Sequence, residues 1–365
     1  MITIIKNKFF EEIVFFIALG LAVFTGVFAK LNLDAIDYNV LGILTALMLI
    51  TLAFEKYALL DFLAVWVLNK ADSERKTAWL MIGLTALLAM FITNDVALIT
   101  VVPITITLSK KVGFNPYKLI VLEALAANIG SSLTPFGNPQ NLYLYNHYAY
   151  DLFTFMRVVF PFVGMGMILI AIPIFWLSSK SFEKVHLKVK INSPSWVALY
   201  SVLFCVSVVT IIFRMNIFAV LVCISLCVFI RDRELFKQLD YFLLGTFVCF
   251  FIFVDHVNQF DWIKALIQPM LSNDQNVFLL SALFSQGISN VPSAILFSAF
   301  VTSPDALLLG VSVGGLGTMI ASLANLIAYK YYAKQYETTA YHKYFIKCNL
   351  ILLVSFVCVF YILLK

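Results

Sequence analysis

The chain has 365 residues, of which 62% are hydrophobic and 12% charged, with 35 Phe and a formal net charge of +5. Soluble domains do not have this composition, so the chain reads as an integral membrane protein with the lipid bilayer as its first partner. No polar stretch is long enough for a soluble domain, and the basic residues sit mostly in short loops, so nucleic acid is not an expected partner.

In chain order, the first apolar stretch covers residues 13–29. It follows Glu11 and Glu12 and ends without a small-residue cleavage pattern, so it is expected to be retained as a helix. Further spans are expected at 38–54 and 57–68. The stretch 78–108 then breaks at Thr93, Asn94 and Asp95. Arms of roughly a dozen residues rise only ~20 Å against a ~30 Å hydrocarbon core, which predicts a re-entrant hairpin rather than two crossings. A polar tip facing lipid would leave backbone groups unsatisfied, so it must line a protein cavity or hold a ligand.

Residues 117–145 read as a helix broken around Ser131, Ser132, Thr134, Asn138 and Asn141, and 152–177 as a span. A basic cytoplasmic linker, 180–195, follows. The second half offers spans at 196–213, 217–230 and 241–254, then a hairpin at 277–301 that breaks at Ser289, Asn290, Val291 and Pro292. A broken helix at 307–329 and a last span at 345–364 complete it. Placing Gly130 on Gly314 puts Thr134 on Thr318 and Asn141 on Asn325 without a gap. Glycine, serine and threonine can serve helix packing alone, but discontinuous helices at matching positions of two halves point to a transporter's binding site. The expected fold is an all-α membrane protein of about ten transmembrane helices. They form two inverted five-helix repeats, 1–179 and 196–365, each with a re-entrant hairpin and a broken helix.

Lysine and arginine in short loops set the orientation. Lys70, Arg75 and Lys76; Lys110, Lys111 and Lys118; Lys180, Lys184, Lys188 and Lys190; Arg231, Arg233 and Lys237; and Lys330, Lys334, Lys343 and Lys347 are all expected to face the cytoplasm. The opposite side carries Asp255, Asp261 and Asp274 against Lys264. The first hairpin then opens from the cytoplasm and the second from outside. Both termini are expected outside, with Lys6 and Lys8 weighing against this at the N-terminus.

Asp95 is the sharpest chemical feature, because an acid deep in a span is costly and marks an ion or proton site unless it caps the helix that follows. Glu123 is a second coupling candidate, or a group bonding a neighbouring helix. Amide and hydroxyl oxygens suit a small cation, with sodium expected at Asn94, Asp95 and Asn290, while half-helix N-termini suit an anion. No Arg lies deep in a span, so anion binding would depend on helix termini and a co-bound cation. The six cysteines and four histidines show no metal-ligand spacing. No nucleophile, base and orienting group cluster together, so an intramembrane enzyme is disfavoured and no resident cofactor is expected.

The runs Thr93 to Leu98, Gly137 to Asn141 and Ile288 to Ser293 resemble the ion transporter superfamily. Bacterial inner-membrane anion or citrate transporter-like permeases are the nearest group, with divalent-anion/sodium symporters and arsenite permeases as relatives. The resemblance covers nearly the whole chain. It implies that Thr93, Asn94, Ser131, Ser132 and Asn138 build one half of a substrate and ion site, and Ser289, Asn290, Ser293, Gly315, Gly317 and Thr318 the other. It also implies a two-fold homodimer in the cytoplasmic membrane that works as an elevator. Asp95 replaces a Thr of the symporter signature, and Val291 and Pro292 interrupt its second copy, which raises proton coupling, sodium/proton antiport or arsenite efflux as alternatives to anion symport.

Overall fold

The computed structural model describes residues 13–183, 186–301 and 303–365. Lys6, Lys8, Glu11, Glu12 and Lys184, used in the sequence reading, lie outside the described residues. Among the described residues the structure is helical, and its only bridge joins Ser73 to Ser181. Helices follow from the solvent, since lipid offers the backbone no partners and each segment must satisfy its own N–H and C=O groups.

The first half contains α1 (Ile13–Gly26), α2 (Tyr38–Lys56), α3 (Leu59–Leu68), α4 (Glu74–Phe91), α5 (Asn94–Val112), α6 (Tyr117–Ser131), α7 (Pro139–His147) and α8 (Leu152–Ala171). A 3₁₀ turn, Ile172–Trp176, extends α8. The second half contains α9 (Pro194–Ile212), α10 (Phe218–Arg231), α11 (Tyr241–Asn258), α12 (Asp261–Ile267), α13 (Asp274–Ile288), α14 (Asn290–Ser298), α15 (Pro304–Gly314), α16 (Leu323–Ala333) and α17 (Thr339–Leu363). Local chemistry sets several starts. Asp37 and Asp240 each precede a Tyr and accept the N–H three residues on, from Val40 at 2.9 Å and Leu243 at 2.8 Å, which caps α2 and α11 alike.

Five helices, α2, α8 with its extension, α9, α11 and α17, are long and apolar enough to cross a membrane. Their outward faces expose large apolar side chains such as Phe160, Val202 and Ile362, which soluble packing would hide.

One expectation needs correction. The arms of the first hairpin are α4 with 18 residues and α5 with 19, not about a dozen. The polar turns Glu74–Thr77 and Ser109–Val112 continue the helices past the apolar stretch, so length alone does not make this hairpin re-entrant. The span expected at 57–68 is α3, whose 10 residues rise only ~15 Å, half the hydrocarbon core. A left-handed Ala58, φ 56°, turns the chain between α2 and α3.

Packing in one half repeats in the other. α1 lies on α11 and α10 on α2; α4 packs on α6 and α13 on α15; α5 meets α16 and α14 meets α7. α9 stands beside α2 outside this exchange. The buried Asp232 carboxylate pins the three helix ends there, accepting hydrogen bonds from Lys56 Nζ at 2.7 Å, Tyr57 Oη at 2.9 Å and Tyr200 Oη at 2.9 Å. Burial alone would push this carboxyl up, but those donors outweigh it and hold it below the usual carboxylate range. α6 runs through the centre, buried at every residue from Leu119 to Ser131.

Candidate functional site

Both hairpin tips are held by the same set of bonds. Thr93 and Ser289 begin α5 and α14 at positive φ, 122° and 76°, where side-chain-bearing residues are strained. The next backbone N–H is anchored in each case on the end of an unwound turn: Asn94 donates to the Gly137 carbonyl at 3.2 Å and Asn290 to the Ala321 carbonyl at 3.0 Å. The Thr134 hydroxyl donates to the Met90 carbonyl, and the matching Thr318 hydroxyl to the Gln286 carbonyl. Inside the turns, Asn141 Nδ2 donates to the carbonyls of Ser131 and Thr134, both at 3.2 Å, and Asn325 Nδ2 to those of Gly315 and Thr318 at 3.3 and 3.0 Å. A broken helix leaves carbonyls without i+4 donors, and these side-chain amides supply the missing N–H.

Close contact between arm and broken helix depends on glycine. A Cβ at Gly130 would lie 2.6 Å from the Ala86 carbonyl oxygen, and one at Gly314 would lie 3.1 Å from Ala282 Cα. At Gly137 a Cβ would come within 2.2 Å of the Ser131 carbonyl oxygen.

A buried polar chain then joins the halves. Asn94 Nδ2 donates to Asn128 Oδ1 at 3.2 Å, the Ser322 hydroxyl donates to the same oxygen at 2.8 Å, and Asn128 Nδ2 donates to Asn325 Oδ1 at 2.9 Å. Beyond Asn325 lies Gly315, and a Cβ there would be 3.0 Å from Asn290 Nδ2. The first tip is thus bonded through Asn128 to Asn325 of the second broken helix, and the Asn290 amide lies beside Gly315 of the same broken helix. Asn94 is 4% exposed and Asn290 5%. Residues Asn128, Ser322 and Asn325 were not among the sequence-derived site residues. The gap-free register does mark Asn325 as the counterpart of Asn141 and Ser322 as that of Asn138, and an Asn inside an apolar helix marks position 128.

A cavity of about 310 Å³ reaches this network from one side, between α2, α5, α7, α11 and α16. Thr93, Asp95 and Asn138 form its inner end, and Glu55, Asp240 and Lys330 stand among its other polar groups. Asp95 Oδ1 and Asn138 Oδ1 are buried acceptors without hydrogen-bond partners among the described residues, while Asn138 Nδ2 donates to the Ser131 hydroxyl at 2.6 Å. Asp95 lines the cavity, and among the described residues no hydrogen bond from the first turn of α5 is made to its Oδ1. A second cavity of about 180 Å³ lies at the other end of the same helices, lined by Asp37, Tyr143, His147 and Asp255. In its lining Tyr143 Oη and Ser298 Oγ close to 2.7 Å, and the Tyr143 ring lies 5.6 Å from that of Phe251, tilted by 46°.

Other expected site residues play different parts. Ser132 bonds the Asn128 carbonyl of its own helix at 2.9 Å, and Ser293 bonds the Ser281 carbonyl at 2.9 Å, turned into its hairpin. Gly317, φ 113°, donates its N–H to Asn349 Oδ1 at 3.1 Å and packs on Gln286, and Thr318 is exposed. Glu123, fully buried, accepts from Thr105 at 2.6 Å on the neighbouring α5, while its Oε2 has no partner.

A helical membrane bundle in which two polar hairpin tips meet two unwound turns is built as a transporter, and the comparisons with known proteins agree. The chain belongs to the citrate transporter family (CitMHS), whose profile matches residues 1–307. It is 32% identical over 331 residues to inner membrane protein YbiR of Escherichia coli, covering 89% of this chain and 88% of that one. It is 30% identical over 297 residues to the uncharacterized transporter MJ0456 of Methanocaldococcus jannaschii, covering 80% of each. Among solved structures, the YdaH transporter of Alcanivorax borkumensis shares the fold, with a TM-score of 0.56 over 96% of this chain and 97% of that one at 13% identity. The resemblance to the ion transporter superfamily is thereby established, and the chain is a multi-pass membrane protein.

Proposed function

We propose that the chain is a secondary active transporter that moves a small anionic solute, a carboxylate or oxyanion, across the bacterial cytoplasmic membrane, coupled to sodium or protons. The observation that carries this reading is the pair of strained tips, each anchored through its backbone N–H on an unwound turn, with Asn128 bonding the first tip to Asn325 of the second broken helix. Four helix N-termini, those of α5, α7, α14 and α16, begin at these tips and turns. Each presents the positive end of its helix, about half a positive charge, to an anion. Asp95 Oδ1 and Asn138 Oδ1 supply hard oxygens to a small cation beside it. The family and the relatives named as transporters support a carrier rather than an enzyme.

The two halves are read as inverted repeats. α1 and α2 correspond to α10 and α11, and α9 is an extra crossing that turns the second copy over. With α3 lying along the membrane rather than through it, the crossings number nine: α1, α2, α6 with α7, α8, α9, α10, α11, α15 with α16, and α17. The lysine and arginine loops stay cytoplasmic, the N-terminus joins them in accord with Lys6 and Lys8, and the C-terminus lies outside. In this frame the larger cavity opens to the cytoplasm and the Tyr143–Ser298 contact closes the outer side. Hairpins and broken helices would then move as an elevator against α2 and α11, in a two-fold dimer.

In proteoliposomes, Asn94→Ala and Asn290→Ala are each expected to reduce solute uptake to background while the protein remains folded and monodisperse. Uptake retained in both variants would sink the proposal. One observation favours a second reading: three carboxylates, Glu55, Asp95 and Asp240, line the cavity beside one lysine, Lys330. Sodium/proton exchange at Asp95 would use them, and an imposed sodium gradient with no organic solute present would then drive proton movement that Asp95→Asn abolishes.

A further inference from the structure

A lateral groove of about 310 Å³ opens between the end of α8 and the start of α17, away from the transport site. Its floor is apolar: Leu122 and Leu125 of α6, with Ile170 and Leu352, are each at most 4% exposed. Its rim is exposed, with Ile351 on α17 and Trp176 at 76%. Lys347 stands at the mouth, no Asp or Glu lines the groove, and Lys347 has no ion pair among the described residues.

More positive and aromatic groups cluster at the same end. Lys343 lies one helical turn before Lys347 and is exposed. Tyr344, which also lines the groove, meets the Tyr117 ring edge-on at 5.7 Å, and Lys118 Nζ lies 5.8 Å from that ring. Indole and phenol rings beside lysines mark the depth where hydrocarbon gives way to headgroups. A lysine there extends its stem along apolar surface and holds its ammonium at phosphate level.

Floor and mouth together select an amphiphile. A free phosphate would leave the leucine floor unused, and a zwitterionic or neutral lipid would leave Lys347 without a net opposite charge. Basic pockets between transmembrane helices are suited to anionic headgroups. We propose that this groove seats one anionic phospholipid, its acyl chain on Leu122 and Leu125 and its phosphate at Lys347. The leaflet it comes from, the cytoplasmic one, rests on the orientation proposed above; the site itself does not. Because Leu122 and Leu125 belong to the helix that presents Asn128 and Ser131, the lipid touches the back of the element that forms the transport site.

Thermal unfolding of the full-length chain in neutral detergent tests this with added phosphatidylglycerol, phosphatidylcholine or soluble glycerophosphate. Phosphatidylglycerol is expected to raise the midpoint above phosphatidylcholine by roughly 2 °C or more, and glycerophosphate to have no effect. Lys347→Glu is expected to remove that difference and Lys347→Arg to keep it; both changes are at an exposed position. Native mass spectrometry should show phosphatidylglycerol retained on the wild type and lost from Lys347→Glu. Equal shifts by the two lipids, an effect reproduced by glycerophosphate alone, or a preference that survives Lys347→Glu would overturn the proposal. A groove filled by a second copy of the chain would appear as a dimer that Lys347→Glu dissociates with no headgroup preference, which also overturns it. None of these readouts depends on the transported solute.

Discussion

Gly137 and Asn141 show how single residues hold an unwound turn inside a membrane. Each carbonyl freed by the break would cost several kcal/mol if left to lipid, and Asn141 answers the carbonyls of Ser131 and Thr134 with one amide. Gly137 gives the chain room to pass the Ser131 carbonyl. Its replacement by Ala would press a methyl to 2.2 Å from that oxygen and 2.9 Å from the Ala89 oxygen, neither of which can yield without moving backbone. Gly137→Ala is therefore expected to abolish uptake and lower the unfolding midpoint. Gly164→Ala is the control: it lies within α8, nothing stands within 4 Å of its new methyl, and the change should be neutral or stabilise by up to about 1 kcal/mol. Equal behaviour of the two variants in uptake and thermal unfolding would refute the steric account of the turn.

At the level of elements, the breaks were legible because polar and helix-breaking residues interrupt long apolar runs. The two runs around Gly130 and Gly314 align without gaps, and the structure repeats in that register the bonds of Thr134 and Thr318 to the hairpins and of Asn141 and Asn325 within the turns. Arm lengths were not legible, since Glu74, Arg75 and Lys76 look like a loop in hydropathy yet form the first turn of α4 behind a Ser73 cap. The proposed course of α3 was hidden for a related reason. Hydropathy measures whether a segment tolerates lipid and carries no direction, and the left-handed Ala58 that turns α3 away from α2 leaves no mark in composition. The reading of α3 is testable in a background without the native cysteines. Glu55→Cys and Lys70→Cys, on either side of α3, should both react with a membrane-impermeant maleimide from the cytoplasmic face alone. Labelling from opposite faces would restore the tenth crossing.

Across the whole molecule, membrane residence and the location of the polar centre were readable from sequence, while the partners inside that centre were not. Asn128 stands out in sequence only as an Asn inside an apolar helix; only folding brings it to Asn325, 197 residues away, to Asn94 and to Ser322. Ser293 shows the reverse, a motif residue whose hydroxyl turns out to be spent on its own hairpin.

The amide chain from Asn94 through Asn128 to Asn325 also bears on how such a machine can work. It stitches the first tip to the second half through side chains that are each at most 4% exposed. Parting those groups during each turnover would be expensive, so the halves that cradle the cargo would travel as a single stiff carriage. Sliding would fall to the greasy faces of α2 and α11, whose leucines and phenylalanines can exchange neighbours at little cost.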